Sequence, residues 1–290
     1  MKDGEKTLEK VLSLMPTRIR RGVSALGGNG DKLCDLRLRA GGALSASYRD
    51  RSFFLSEAGE VNSISDALTV SHAELDEVIK RLCAGSVYSF EDCIRKGYIP
   101  TEFGRVGVCA SVKTRADGSF AVGKISSLVI RIPHRARGAA DRLLAEYKKR
   151  GISGALVFSS PSGGKTTVLR EAAEALSRKG LRVAVADERW ELEVLGTLSQ
   201  CQVYSGFPKS VAIELATRNV SPQLIVCDEI GTGDEVSSIL CAQSSGVPLL
   251  ASAHAGSKAE LYKRPHLKKL LDAGIFRFLY DCSRSEVIEL

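Results

Sequence analysis

Apolar and polar positions along the first half of the chain predict a run of short, mixed elements. Residues 5–14 and 17–26 read as helices, and 33–39, 43–48 and 52–55 as strands separated by Gly41-Gly42 and Asp50. Residues 71–82 begin at a serine, carry Glu74 three positions on and place apolar residues at helical spacing, the signature of a capping-box helix. A helix near 90–96 follows. A strand pair at 106–112 and 120–132, turned by Ala116-Asp117-Gly118, completes a small α+β unit before Pro133 and Gly138 break the pattern.

Beyond Gly138 the rhythm becomes regular. Helix 139–149, a strand running into a small-residue loop, helix 166–178 and strand 181–186 are followed by a short strand at 202–204. Helix 210–218, strand 224–228, helix 234–243 and strand 248–252 complete the alternation, and Gly180 stands where a helix end favours a left-handed residue. Strands alternating with helices predict a parallel sheet covered on both faces, with chemistry at the carboxyl edge of its strands. Residues 276–282 and 287–290 are expected to add a hairpin. The expected division is therefore an N-terminal α+β domain with linker over 1–137 and an α/β domain over 138–290. No internal repeat or low-complexity tract is visible.

Composition narrows the class without choosing a function. The 290 residues, 44% hydrophobic and 26% charged, suit a globular chain of about two domains. No apolar run approaches the roughly 18–20 residues of a membrane span, and the polar start, Met-Lys-Asp-Gly-Glu-Lys, has no signal-peptide core. The 8 cysteines contain no C-x-x-C pair, which predicts reduced thiols in a cytosolic protein rather than a zinc or disulfide framework. The excess of 41 basic over 34 acidic residues permits an anionic partner without requiring one.

The candidate chemistry begins where the apolar stretch Ala155 to Phe158 stops. Ser159-Ser160-Pro161-Ser162-Gly163-Gly164-Lys165-Thr166-Thr167 joins that strand to a helix, the setting of a phosphate-binding P-loop. Backbone N–H groups of such a loop wrap phosphates, and glycines keep Cβ atoms out of the way. Lys165 would meet the β/γ-phosphates of ATP, and the Thr166 hydroxyl would coordinate Mg²⁺. Ser159 occupies the place of the first glycine in G-x-x-x-x-G-K-[ST], and Ser162 stands where many P-loops carry another. The alternative is a plain Gly/Ser turn, against which the strand–loop–helix context argues.

A second signal lies further along. Leu224-Ile225-Val226-Cys227-Asp228-Glu229 is an apolar run ending in two carboxylates, a buried strand with acids at its edge. In P-loop NTPases this Walker B position holds Mg²⁺ through the aspartate, and a following glutamate orients and deprotonates the attacking water. Asp187-Glu188-Arg189 ends the strand after the P-loop helix, either as a solvated strand end or as a second acidic cluster with Glu188 a rival base. His254 ends the strand after Walker B, as a polar cap or as a sensor of the γ-phosphate. Arg218 reads as a surface residue.

These motifs, with Val185-Ala-Asp-Glu-Arg-Trp-Glu191, Gly206-Phe-Pro-Lys209, Cys227-Asp-Glu-Ile-Gly231, Ala253-His254, Leu36-Arg-Leu-Arg-Ala-Gly41 and residues 125–132, resemble the stage III sporulation AA family of endospore-forming bacteria. That family is similar to the ring-forming secretion ATPases of type II and type IV systems. The resemblance implies a RecA-like P-loop NTPase domain preceded by the smaller α+β domain. It further implies a mother-cell cytoplasmic ATPase, peripheral to the membrane through membrane-embedded sporulation channel proteins and assembled as a homo-oligomeric ring. Arg131, Arg135 and Arg137 are then candidates for reaching a neighbour's nucleotide, or else a basic linker facing solvent or headgroups.

The expected reaction is Mg²⁺-dependent ATP hydrolysis, with phosphates on Lys165 and the loop amides, metal on Thr166 and Asp228, and water activated by Glu229. Two other readings stand beside it. One is a nucleic-acid-binding P-loop protein, against which the 6% of aromatics, not interleaved with a basic stripe, counts. The other is a nucleotide-binding scaffold without turnover.

Overall fold

The computed structural model describes residues 3–114, 120–134, 138–161, 163–243 and 246–290. The chain divides into two compact units, Met1–Arg135 and Ala136–Leu290.

In the first unit, helices α1 (Asp3–Ser13) and α2 (Thr17–Ser24) precede β1 (Asp35–Arg39), β2 (Ser45–Ser47), β3 (Ser52–Ser56) and β4 (Gly59–Val61). Helices α3 (His72–Leu82) and α4 (Glu91–Arg95) follow, then β5 (Tyr98–Thr101), β6 (Gly104–Thr114) and β7 (Phe120–Arg131). The strands form one sheet in the order β4-β3-β2-β1-β7-β6-β5, antiparallel throughout. Alternation does the sorting: β1 buries Leu36 and Leu38 and turns its charged residues away. The predicted capping box of α3 is present, with Glu74 N donating to Ser71 Oγ at 3.1 Å and Ser71 N to the Glu74 carboxylate at 2.9 Å. Strands β4 and β5 were not expected. The turn at 116–118 lies outside the described residues.

The second unit runs α5 (Asp141–Arg150), β8 (Ala155–Ser159), α6 (Lys165–Arg178), β9 (Val183–Asp187), β10 (Gln202–Ser205), α7 (Lys209–Asn219) and β11 (Leu224–Cys227). It continues with α8 (Gly233–Gln243), β12 (Leu249–His254), α9 (Lys258–Lys263), α10 (Pro265–Asp272), β13 (Phe278–Asp281) and β14 (Glu286–Glu289). The sheet order is β10-β9-β11-β12-β8-β13-β14. Every neighbouring pair is parallel except the terminal hairpin β13–β14, so the expected parallel sheet carries one antiparallel edge strand. Strands β8, β9, β11 and β13 are buried at every position, as a sheet covered on both faces requires.

Successive residues of β8 serve opposite cores. Ala155 and Val157 pack with Leu143 of α5 and Leu169 of α6, while Leu156 and Phe158 pack with Ile213 of α7, Ile239 of α8 and Leu270 of α10. At the foot of β8, a Cβ on Gly154 would stand 1.9 Å from Ile275 O, so only glycine allows β13 to lie this close. The registers Cys227↔Ala186, Cys227↔Ala251 and His254↔Ser159 bring the carboxyl ends of β9, β11, β12 and β8 side by side.

Candidate nucleotide site

The loop between β8 and α6 is shaped by two glycines. Gly164 has φ +89° and is the N-cap of α6, a backbone position that β-carbons disfavour. A Cβ on Gly163 would fall 2.3 Å from Ser159 Oγ and 3.0 Å from Ser160 O. Ser159, in the first-glycine position, is buried and folds its hydroxyl into the loop, donating to Ser160 O at 2.9 Å. Ser160 and Pro161 are exposed, and Thr167 is half-buried on α6. Ser162 lies outside the described residues.

Lys165 opens α6 with its side chain buried against the loop. Its Nζ donates to Ser159 O at 3.2 Å and Ser160 O at 3.2 Å, and meets His254 Nδ1 at 2.8 Å. Burial lowers the Lys165 pKa from its ordinary value, and the negative charge of Asp228 opposes that shift. An ammonium has only protons to offer, which assigns Nδ1 as the acceptor and places the ring proton on Nε2. That nitrogen faces Glu229 Oε1 at 3.4 Å, and Glu229 Oε2 accepts from Arg189 at 2.7 Å. A continuous polar path thus crosses three strand ends, from Lys165 through His254 and Glu229 to Arg189.

The acid pair is fixed from both sides. Thr166 Oγ1 donates to Asp228 Oδ2 at 2.8 Å, joining the first turn of α6 to the end of β11. The hydroxyl of the fully buried Ser252, on β12, donates to Asp228 Oδ1 and accepts the N–H of Glu229 at 2.9 Å. Glu229 has φ +40°, a left-handed conformation that costs a non-glycine residue on the order of 1–3 kcal/mol. Its carbonyl accepts from Lys209, which also pairs with Glu235 of α8.

The remaining candidates separate. Asp187 is buried and spends its two oxygens on the N–H groups of Glu191 at 2.8 Å and Glu193 at 2.9 Å, so it shapes the loop after β9. Desolvation raises its pKa, and those backbone donors counter part of the rise. Glu188 is half-buried, with no hydrogen bond or ion pair among the described residues. Arg218 pairs with Glu214 on the exposed side of α7. Arg131 is largely exposed beside Asp35, and Arg135 and Arg137 lie outside the described residues. Ser252 and Glu235 went unnoticed in the sequence, and Lys209 figured there only within a motif.

A family model, Sporulation stage III, protein AA, matches residues 5–282. The chain is 30% identical over 266 residues to stage III sporulation protein AA of Bacillus subtilis (strain 168), covering 87% of this chain and 83% of that protein. Among solved structures, the Legionella pneumophila ATPase DotB aligns with a TM-score of 0.58 at 17% identity, covering 92% of this chain and 77% of that one. The pilus retraction motor PilT, solved with bound ADP, aligns with a TM-score of 0.57 at 13% identity over 91% and 76% of the two chains. These two alignments show that the chain shares the fold of those two proteins. Among the described residues, no helix is long and apolar enough to cross a membrane.

Proposed function

The chain belongs to the sporulation stage III protein AA family, and from that premise we propose that it is a Mg²⁺-dependent ATP hydrolase of the secretion-ATPase type. It would energise a sporulation channel or secretion complex at the mother-cell membrane, from the cytoplasmic side and through membrane-embedded partners.

The observation that carries the reading is the bond between Thr166 Oγ1 and Asp228 Oδ2 at 2.8 Å. A hydroxyl from the P-loop helix and a carboxylate from a distant strand end share one oxygen-rich spot, beside a buried lysine. The donors suit Mg²⁺, a hard cation that takes oxygen ligands and keeps several waters. When bound, Mg²⁺ would supply positive charge against the negative charge that develops during phosphoryl transfer. Thr166 and Asp228 would hold it.

The chain's own groups do the rest. The amides around Gly163 and Gly164 and the Lys165 ammonium bind the phosphates, and His254 faces the terminal one. The Glu229 carboxylate takes the proton of the attacking water, with Arg189 and His254 fixing its orientation. Glu188, at the neighbouring strand end, is the rival for that role. A homo-oligomeric ring is the proposed working form.

Phosphate release measured beside mass in solution, with and without MgATP, tests the reading. Release that needs Mg²⁺, with a larger species in ATP, is the expected result. Binding without release would make the protein a nucleotide-dependent scaffold. A strict monomer in every nucleotide state and with membrane partners present would remove the ring.

A further inference from the structure

The segment Gly206-Phe207-Pro208-Lys209 has no part in the chemistry assigned above. It ends in a lysine at the first residue of α7 whose side chain is 5% exposed. A buried ammonium needs partners, and this one has two. It donates to Glu229 O at 2.6 Å and to Glu235 Oε1 at 3.0 Å. The other oxygen of Glu235 accepts the N–H groups of Gly231 at 2.7 Å and Thr232 at 2.9 Å. Lys209 and Glu235 together therefore grip three backbone groups of the loop that leaves the acid pair.

The residue they grip most tightly is strained. Glu229 keeps φ +40° while Ser252 holds its N–H and Lys209 its carbonyl. A left-handed residue that is not glycine persists only where its surroundings over-determine it. Releasing the carbonyl lets φ relax, and the Cβ and carboxylate swing with it. Both Lys209 bonds lie within hydrogen-bond reach, so the ammonium serves the carbonyl of Glu229 as well as its ion-pair partner.

We propose that Lys209 is a positioning residue of the site: its ammonium, anchored by Glu235, pins the Glu229 backbone in its strained form and thereby aims the Glu229 carboxylate. This rests on the hydrolytic reading above, in which Glu229 is the base. Lys209 touches neither substrate nor metal in that scheme and acts only through Glu229.

The test compares the parent with Lys209→Met and with the double variant Lys209→Met/Glu235→Gln, recording Tm, MgATP affinity, kcat and KM. The double variant removes both charges together, and the amide oxygen at position 235 still accepts from Gly231 and Thr232. We expect Lys209→Met to lose Tm and the double variant to regain most of it. The double variant should bind MgATP within about threefold of the parent yet turn over on the order of 10–10²-fold more slowly, the signature of a misplaced group. Parental kcat in the double variant overturns the proposal, as does a kcat that follows Tm across all three proteins. If the double variant is too unstable to assay, Lys209→Arg decides. A retained donor should recover part of the lost kcat relative to Lys209→Met, and no recovery overturns the role. A parent that binds MgATP without releasing phosphate sinks the hydrolytic reading itself and this role with it, an outcome distinct from the variants' failure.

Discussion

The two seven-stranded sheets of this molecule treat charge in opposite ways. Around the antiparallel sheet, ion pairs such as Arg18–Glu57 and Lys10–Glu102 join partly exposed side chains, and among the described residues the buried polar side chains of that unit are Thr7 and Ser47. In the parallel sheet, Ser159, Lys165, Asp187, Lys209, Glu235 and Ser252 are all buried, gathered at strand ends and in the helix turns near them. Burying an ionisable group is costly unless it is paired and hydrogen-bonded. Among the described residues the first unit buries no charged side chain, while the second accepts that cost along one edge, where the proposed chemistry would be done.

The contrast is broken most severely by removing the proposed base. Glu229→Gln keeps size and hydrogen bonding, so phosphate release should fall about 10²–10⁴-fold while MgATP affinity stays near the parent's. Full activity in Glu229→Gln together with its loss in Glu188→Gln would reverse those two roles. Next in size is the buried pair. Glu235→Leu leaves Lys209 without its anion and should cost about 3–5 kcal/mol in urea unfolding of the second unit. A loss under 1 kcal/mol would mean the edge is wetter and looser than its burial indicates. Lys165→Ala should weaken ATP binding by calorimetry at least about tenfold, the scale of a lost charged hydrogen bond, with the fold intact. Unchanged affinity would remove the P-loop assignment.

Two smaller effects sharpen the comparison. Burial pushes the Glu235 carboxyl up, but the N–H groups of Gly231 and Thr232 and the Lys209 charge outweigh it and hold the pKa below its ordinary 4.5. The unfolded chain then binds this proton more readily than the native one. The stabilisation is fully present above that ordinary value and is lost as pH falls through the lower folded one. The stability gap between parent and Glu235→Gln should therefore close below about pH 4.5, and a gap that widens there would contradict the assignment. Smallest is Glu57→Gln on the first sheet, where an exposed pair contributes no more than about 1 kcal/mol.

Much of this edge was legible in the sequence because its residues terminate apolar runs. Lys165, Thr166, Asp228, Glu229 and His254 each follow a strand or open a helix, so residue type and position within the pattern were enough to nominate them. Ser252 was not legible. One hydroxyl inside an apolar strand acquires meaning only when β12 is placed beside β11, and strand order is not written in local spacing. Lys209 after a proline looks like any first-turn lysine, and its burial depends on the packing of α7 against the loop after β11. Asp187 sits beside the site, as expected of a strand-end acid, but its oxygens go to backbone donors that spacing does not reveal. Helices α9 and α10 were missed although signals existed, since Ser257 caps α9 by accepting from Glu260 N and Pro265 occupies the first turn of α10.

The place of β8 in its sheet has a consequence for how the protein is made. Its two partners are β12 and β13, both supplied by the last part of the chain. A polypeptide still on the ribosome, synthesised as far as α8, has the loop between β8 and α6 and both acids of the pair but no strand on either side of β8. Long-range pairings of this kind are slow to form, because distant segments must be ordered before any contact rewards them. The edge that carries Lys165, Asp228 and Glu229 is therefore assembled only once residues 249–281 are available to flank β8.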